Sequence, residues 1–314
     1  MSGATKGSLI ERAATVYDFN AYLRPAPEPA PAPVPTISPE PVEPTLAAIP
    51  PEFLAGGDHD DFTPPPIDPT VAVVDRGLLA ERGMIVPGAP VGPLAEEFRL
   101  AKRHVLGLKR LIEEGDAPER ARTALICSAR PNDGKTFCAM NLALSISAER
   151  DTEALLVDAD FAKPDVCRVL GLPDGRGLLD ALDDPSIDPE ALVIRTDVPG
   201  FSVLPAGTRT TGDTELLASN RTRAVVARLL AANPRRVILF DSPPALAASP
   251  AAVLAGQVGQ VVLVVRADRT GEGELREAVG LLDGCEHVRL LINSVSFVPG
   301  GHRYGSYGYG QKAL

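Results

Sequence analysis

The sequence contains few of the residues and patterns that define several large classes of protein. Its 314 residues include four cysteines, which form no C-x-x-C pair and have no metal-ligand spacing (Cys127, Cys138, Cys167 and Cys285), so we expect neither a disulfide framework nor a structural zinc site. No window approaches the roughly 18 apolar residues that a membrane-spanning helix needs. Residues 1–22 lack the apolar stretch of a secretory signal. These absences predict a cytoplasmic protein that would reach a membrane only through a partner.

Positive charge is also scarce. Lys and Arg number 31 against 41 Asp and Glu, which gives a formal net charge of −10. Because general nucleic-acid binders neutralise phosphates with clustered Lys and Arg, this balance argues against nucleic acid as a partner. The apolar share of 45% and the charged share of 23% are ordinary for a globular protein with a full-sized core.

Tyrosine is absent from residues 23–303 and clusters at the C-terminus. Of the five tyrosines, three lie in the last eleven residues (Tyr304, Tyr307 and Tyr309), with glycine between them. Glycine disfavours a stable helix or strand there and leaves the rings accessible. Two interpretations remain open: a set of modification acceptors, or an adhesive low-complexity segment.

Composition divides the chain into four parts. Residues 1–24 form a short amphipathic segment, which would order as a helix only on binding or not at all. Residues 25–93 are predicted to be a largely disordered Pro-rich linker, since 15 of the 31 prolines lie between Pro25 and Pro69. Residues 94–298 form the folded domain, and residues 299–314 form the Gly/Tyr-rich tail.

The folded domain begins with a helix and continues as an α/β alternation. Apolar residues at spacings of four and three from Leu94 to Ile112 predict one amphipathic helix. Continuous apolar strands follow at 123–127, 153–158, 201–204, 237–241, 260–265 and 288–293, with helices between them. Such strands are typical of a mostly parallel sheet covered by helices on both faces, and ligands bind at the C-terminal ends of its strands.

The first strand is followed by a loop whose residues suit phosphate binding. It reads Ser128-Ala-Arg-Pro-Asn-Asp-Gly-Lys-Thr136, and a strand–loop–helix that closes with Gly-Lys-Thr offers backbone N–H groups to oxyanions. Lys135 would reach the β- and γ-phosphates and Thr136 would complete a Mg²⁺ shell. The first glycine of the usual phosphate loop is replaced by Ala129, so an ordinary βα turn is the alternative.

Two further strands end in carboxylates. One ends with Asp158 and is followed by Asp160, and these residues at i and i+2 would point the same way into a shared Mg²⁺–phosphate site. The other, Val237 to Phe240, is followed by Asp241, in the form of a Walker B strand. The alternative is that these aspartates lie in solvated turns. That alternative is weakened because the phosphate loop and the two acidic strand ends follow one another along the chain.

Together these motifs resemble the deviant-Walker P-loop ATPases, and within them the bacterial tyrosine autokinases of polysaccharide synthesis and export. That family's loop typically reads Ser-x-x-Pro-Gly-Glu-Gly-Lys-Ser/Thr, and its second motif is like Ile-Asp-Ala-Asp-Leu-Arg-Arg-Pro, against Val157-Asp-Ala-Asp-Phe-Ala-Lys-Pro164 here. Residues 96–103 resemble its Glu-x-x-Arg-x-x-Arg self-association helix. The N-terminal third is closest to the exosortase-associated subgroup.

The resemblance implies a set of roles. Lys135, Asp158, Asp160 and Asp241 would be catalytic, with Asp158 the candidate base for the acceptor hydroxyl. Mg²⁺ would be held by Thr136, Asp160 and Asp241. ATP would be bound by the loop, the start of the following helix and the amide at the end of the last strand (Asn132, Asp133, Gly134, Lys135, Thr136, Phe137 and Asn293). An alternative for Asn293 is a turn cap.

The resemblance also implies an assembly. Glu96, Arg99 and Arg103 share one helical face and would join subunits into a ring, in which each tail is phosphorylated by a neighbour. A membrane polysaccharide co-polymerase and a tyrosine phosphatase would be further partners. An exposed face with internal ion pairs is the alternative for the charged residues.

The sequence departs from the family pattern at two places that bear on activity. Asn132-Asp133 replace Gly-Glu in the loop, so Asn132 must hold a backbone position that favours glycine. Ala162 replaces an arginine, and Lys163 follows it. Two other functions therefore stay open: a positioning or partitioning ATPase without kinase activity, and a nucleotide-binding scaffold without catalysis.

Overall fold

A seven-stranded sheet forms the centre of the computed structural model, which describes residues 71–115 and 117–295. In chain order the strands are β1 (Thr123–Ser128), β2 (Glu153–Asp158), β3 (Ile194–Arg195), β4 (Phe201–Leu204), β5 (Arg236–Asp241), β6 (Gln260–Arg266) and β7 (Val288–Asn293). Their order across the sheet is β3-β4-β2-β5-β1-β6-β7. Every pair is parallel except β3–β4. The predicted α/β fold is therefore confirmed.

Helices cover the two faces of this sheet. They are α1 (Arg76–Glu81), α2 (Pro93–Glu113), α3 (Lys135–Ser147), α4 (Val166–Leu170), α5 (Leu178–Asp183), α6 (Asp213–Ala218), α7 (Asn220–Ala232), α8 (Pro250–Ala255) and α9 (Glu272–Leu281). No described helix has both the length and the apolar character needed to cross a bilayer. The core divides into two main clusters, one on each side of the sheet.

The central strands are apolar throughout because both of their faces are covered. All six residues of β1 and of β5 are buried, and the four cysteines are buried and free. The apolar stripe of α2 packs inward as predicted, with Phe98, Val105, Leu108 and Ile112 buried. Close packing on both sides fixes the C-terminal ends of the central strands at one edge, where loops can form a site.

The folded domain begins earlier than the sequence predicted. The linker was predicted to extend to residue 93, but residues 71–92 are ordered and include α1. Ala72 N donates to Arg195 O at 2.8 Å, and Asp75 N donates to Leu170 O at 2.9 Å, so this segment is held by distant parts of the domain. Val74 and Leu79 are buried in the same cluster as α2 and α3. Residues 1–70 lie outside the described residues.

The last strand differs from the buried strand that its apolar run predicted. β7 pairs only with β6 and lies at the sheet edge, and Leu290 and Ile292 are 52% and 62% exposed. Leu290 and Ile292 lie on one face of the sheet, which no described helix covers at this edge, so an apolar run alone does not show that a strand is buried on both faces. The tail, residues 299–314, lies outside the described residues.

Candidate nucleotide-binding site

The loop between β1 and α3 has the backbone geometry of a phosphate cradle. Asn132 adopts a left-handed conformation with φ 67°, which confirms the expectation that an asparagine holds the position where the family has glycine. Gly134 has φ 95° and caps α3. The first N–H groups of this 13-residue helix therefore open onto the loop, where they favour an anion.

A cavity of about 420 Å³ lies against this loop. The loop and α3 contribute one wall, through Asn132, Gly134, Lys135, Thr136 and Phe137. Facing walls come from the segment after β2 and the segment after β5 (Asp160, Ala162, Lys163, Asp165, Pro243, Pro244, Ala247 and Ala248). Of these facing-wall residues, only Asp160 was predicted as a site residue. The volume is that of a typical small-molecule site.

Lys135 is the electrostatic centre of the cavity. Its Nζ lies 2.7 Å from Asp160 Oδ2 and 3.7 Å from Asp241 Oδ1, and it donates to Thr136 Oγ1 at 3.1 Å. Burial by itself would lower the pKa of Lys135, but Asp241 and Asp160 outweigh it and raise that pKa above its ordinary value. Lys135 is therefore a fixed positive charge between two carboxylates.

Asp241 is the least satisfied carboxylate of this group. Its side chain is 1% exposed, and its Oδ1 has no hydrogen-bond partner among the described residues. Burial raises the pKa of Asp241 to about 6, although the Lys135 charge opposes the rise. A buried, unpartnered carboxylate oxygen beside a phosphate cradle is the kind of atom that a bound cation would satisfy.

Asp158 and Asp160 make different contacts, and the shared Mg²⁺–phosphate site expected for them stays a prediction. Asp158 Oδ2 accepts from the N–H groups of Asp165 and Val166, both at 3.1 Å, and its Oδ1 accepts from Asp160 N at 3.2 Å. Asp158 does not line the cavity. Burial, with the Asp241 charge next, raises its pKa to about 7. Such a pKa would suit a base, but in this geometry the carboxylate anchors the segment 160–166.

Two other residues predicted to bind the nucleotide, Asp133 and Asn293, form hydrogen bonds that hold the phosphate loop. The Asp133 side chain is fully buried and accepts from Arg130 N at 3.0 Å and from Thr270 Oγ1 at 3.3 Å. Asn293 Nδ2 donates to Asp133 O at 2.9 Å. Neither side chain lines the cavity. In this structure both side chains contact the protein around the phosphate loop, and the nucleotide contacts expected for them stay predictions. No local signal in the sequence indicated Thr270.

The contact of Asn293 gives a testable distinction between an anchor and a base contact. Because Asn293→Asp places a carboxylate oxygen against the Asp133 carbonyl, we expect the loop to loosen and affinity to fall by about tenfold, or about 1.4 kcal/mol. Calorimetry should show equal losses for Mg·ADP and for pyrophosphate, and no loss for the exposed Arg289→Ala on the same strand. Loss for ADP alone would instead support an adenine contact.

The residues at the cavity fit magnesium and a nucleoside triphosphate. Among the described residues, no group of three or more His, Cys, Asp and Glu side chains could hold a metal by itself. Mg²⁺ does not need such a group, because it is usually bound through one or two carboxylates together with substrate phosphates and water. Thr136, Asp160 and Asp241 offer the oxygen ligands, and Lys135 with the start of α3 offers positive potential to the phosphates.

The position of Arg130 bears on the ATPase alternative. Partitioning ATPases usually carry a second lysine early in the loop, where this chain has Arg130. Here Arg130 Nη1 lies 3.1 Å from Glu274 Oε1 at the start of α9. The guanidinium is therefore engaged within the same chain, which makes it less available for a nucleotide on a partner.

The predicted self-association residues lie on the exposed side of α2. Arg99 Nη1 contacts Glu96 Oε1 at 2.5 Å, and both side chains are more than 40% exposed. Arg103 is exposed, whereas its neighbour Lys102 is buried and pairs with Glu149 at 2.6 Å. Of these two adjacent cations, only Arg103 therefore remains on the outer face.

The fold and the loop together define a P-loop ATPase architecture with a variant phosphate loop. The chain is 34% identical over 183 residues to EpsB of Ralstonia nicotianae, a match that covers 58% of the chain and 23% of EpsB. It is 27% identical over 237 residues to tyrosine-protein kinase YwqD of Bacillus subtilis, covering 75% of the chain and 94% of YwqD. The chain thus spans about a quarter of EpsB and nearly all of YwqD.

A solved structure agrees with these sequence matches. The BceF tyrosine kinase domain superposes with a TM-score of 0.53 at 27% identity, covering 62% of the chain and 76% of that domain. No model of a known protein family matches the chain. The chain is therefore similar to bacterial tyrosine-protein kinases, and the resemblance predicted from its motifs is confirmed. Its placement in the exosortase-associated subgroup stays a prediction.

Proposed function

We propose that the protein is an ATP-dependent tyrosine kinase that phosphorylates the tails of neighbouring copies, at Tyr304, Tyr307 and Tyr309. The observation that carries this proposal is the cavity at the phosphate loop, which is lined by Lys135, Thr136 and Asp160, with the buried Asp241 carboxylate 3.7 Å from Lys135 Nζ. Its relatives' kinase names and the tyrosine cluster support transfer to tyrosine rather than to water. In the reaction the phenol oxygen bonds to the γ-phosphorus, the bond to the ADP oxygen breaks, and the phenol proton passes to a base, for which Asp158 is the predicted candidate.

The chain's own residues position and neutralise charge in this scheme. Lys135 binds the β- and γ-phosphate oxygens, and the N–H groups at the start of α3 bind the phosphates from the loop side. Thr136, Asp160 and Asp241 hold Mg²⁺, which when bound neutralises charge that develops on the phosphates. Asp158 holds the segment that carries Asp160. Its predicted role as the base would require this segment to open, because three N–H groups now occupy its oxygens.

The last described strand ends beside the phosphate loop. β7 ends at Asn293, whose side chain contacts the phosphate loop, and Tyr304 follows eleven residues later. Eleven residues span at most about 40 Å. The chain's own site lies within that reach, so whether transfer occurs within one chain or between copies is a separate measurement.

Assembly would bring a neighbour's tail to the cavity. We assign this contact to the α2 face of Glu96, Arg99 and Arg103, in a ring whose size is open. Each phosphate adds between one and two negative charges to the tail. Since the chain is already acidic, with a net charge of −10, phosphorylation would repel neighbouring tails and loosen the ring.

The cellular role follows from the relatives rather than from the cavity. We propose that the kinase regulates polymerisation and export of an exopolysaccharide or capsule, from the cytoplasmic side of the membrane. A membrane co-polymerase would recruit and activate it, and a tyrosine phosphatase would reverse the modification. Co-purification from membranes with and without the co-polymerase would test recruitment.

The kinase function is tested by incubating the full chain with Mg·ATP and measuring both phosphotyrosine and released phosphate. We expect phosphotyrosine on the full chain and none on a chain that ends at Val298. The matched control keeps the tail and replaces Tyr17 and Tyr22 by Phe, and it should label normally. Released phosphate without phosphotyrosine would support the ATPase alternative, and neither product, with the membrane partner present, would support the scaffold.

A further inference from the structure

A second cavity, of about 780 Å³, lies away from the phosphate loop. Its apolar wall comes from the segment between α1 and α2, from α2 and α3, and from the turn before β4 (Met84, Ile85, Val86, Leu94, Leu144 and Val198). None of its lining residues lines the nucleotide cavity. A concave apolar surface of this size is that of a small-molecule site.

We call this cavity the amino-end cavity, because Glu153, Gly200 and Arg235 in its lining lie at the amino ends of β2, β4 and β5. Its rim is cationic, although the chain as a whole is acidic. Four cationic side chains line it, namely Arg99, Lys102, Arg150 and Arg235, against the two carboxylates Glu149 and Glu153. Lys102 pairs with Glu149 and Arg235 with Glu153. Arg150 is exposed and has no ion-pair partner within the described residues. The rim therefore offers a positive group to an incoming anion.

One buried side chain connects a wall of the amino-end cavity to a wall of the nucleotide cavity, and a ring contact connects α2 to the same turn of α3. Asn141, fully buried in α3, accepts from Ile85 N at 2.7 Å and donates to Phe137 O at 2.8 Å. The Phe98 and Phe137 rings meet edge to face with centroids 6.3 Å apart. Ile85 lines the first cavity and Phe137 the second. These contacts give a physical route between the first cavity and the first turn of α3, where the phosphates would bind.

We propose that the amino-end cavity is a regulatory site for a small amphiphile, an apolar body of acyl-chain size that carries one anionic group. The apolar body contacts the wall formed by Met84, Val86 and Leu144, and the anionic group contacts Arg150 at the rim. Occupancy changes nucleotide affinity through Asn141 and the Phe98–Phe137 contact. This last step rests on the nucleotide site proposed above, whereas binding of the amphiphile does not.

Binding is tested on the full chain without nucleotide, with anilinonaphthalene sulfonate as the fluorescent probe and two twelve-carbon competitors of opposite charge. We expect saturable probe binding that dodecanoate displaces at least about tenfold better than dodecyltrimethylammonium. Equal displacement by both competitors would overturn the assignment of an anion. Absence of a saturable phase would overturn the site.

Variants locate the binding. Val86→Asp in the wall and Arg150→Glu at the rim should each weaken dodecanoate by about tenfold. Their controls are Leu111→Asp, on the exposed side of α2, and Arg276→Glu, on exposed α9, which should change affinity less than about twofold. Unchanged affinity in both cavity variants would refute the location. If circular dichroism shows that Val86→Asp is unfolded, the exposed Arg150→Glu alone decides.

Coupling is measured by repeating the titration with saturating Mg·ADP. We expect dodecanoate affinity to change by about fivefold or more, and by reciprocity the same factor in ADP affinity. Equal dodecanoate affinity with and without bound ADP would overturn the regulatory step and leave the binding site. Failure of ADP to bind at all would count against the proposed function, since the nucleotide-free binding measurement is independent of it.

Discussion

Replacing Lys135 with Met is expected to reduce tyrosine labelling by about a thousandfold or more, because the phosphates lose the cation that positions and neutralises them. Lys135 Nζ is also the shared partner of Asp160 and Asp241. Without it, two buried carboxylates and their phosphate ligand would repel one another. Calorimetry with Mg·ATP should therefore show weak binding as well as slow chemistry. The control Lys109→Met makes the same change on α2, where Lys109 pairs with Glu113, and should label normally.

The same variant shows the direction of transfer. A full Lys135→Met chain cannot label itself but keeps its three acceptor tyrosines, and an active chain that ends at Val298 has no acceptors. We expect phosphotyrosine on the inactive chain when the two are mixed with Mg·ATP. If the mixture stays unlabelled while the wild-type chain labels itself at every dilution, transfer occurs within one chain. Near-normal self-labelling by Lys135→Met would contradict the whole assignment of the site.

The sheet could be predicted from the sequence because its strands are local apolar runs. The bounds of β2, β4 and β7 agree with the prediction, and β1, β5 and β6 differ by one residue at one end. Apolar strands separated by helices allow few topologies, since parallel connections are right-handed and short. The position of the phosphate loop at the C-terminal end of β1 followed from the same pattern.

What the sequence could not show depends on contacts between distant residues. The order of residues 71–92 rests on hydrogen bonds to Arg195 and Leu170, and a Pro-rich composition nearby concealed it. Asp158 accepts hydrogen bonds from the N–H groups of Asp160, Asp165 and Val166, and these contacts form because the chain folds back after β2, which no spacing in the sequence indicates. The amide of Asn293 meets the phosphate loop through the fold, and no spacing predicts that contact.

Asp241→Asn is expected to decrease activity and increase stability. Asp241 carries a Mg²⁺ ligand role in the proposed mechanism, so its loss should reduce labelling by about a hundredfold or more. In the nucleotide-free, metal-free protein its carboxylate is buried, and its Oδ1 has no hydrogen-bond partner among the described residues. Asn has a similar shape and no charge, so the variant removes this unfavourable charge from the interior.

The pKa of Asp241 gives the pH range of the effect. Burial raises it from 3.8 to about 6 in the folded chain, so between these values the folded state binds more protons than the unfolded state. The contribution of Asp241 to the free energy of unfolding therefore falls as the pH rises from 4 to 6, and the destabilisation is complete above pH 6. The cost is on the order of 2–3 kcal/mol, and the variant should recover it at pH 8.

Thermal unfolding in EDTA is the measurement for Asp241→Asn. We expect its Tm to exceed that of the wild type by about 5 °C at pH 8, with the difference vanishing near pH 4, where both side chains are neutral. Asp160→Asn is the matched control. Because Asp160 contacts Lys135 directly at 2.7 Å, its loss should lower the Tm at pH 8. A lower Tm for Asp241→Asn at pH 8 would mean that its contact with Lys135 outweighs the cost of burying its charge.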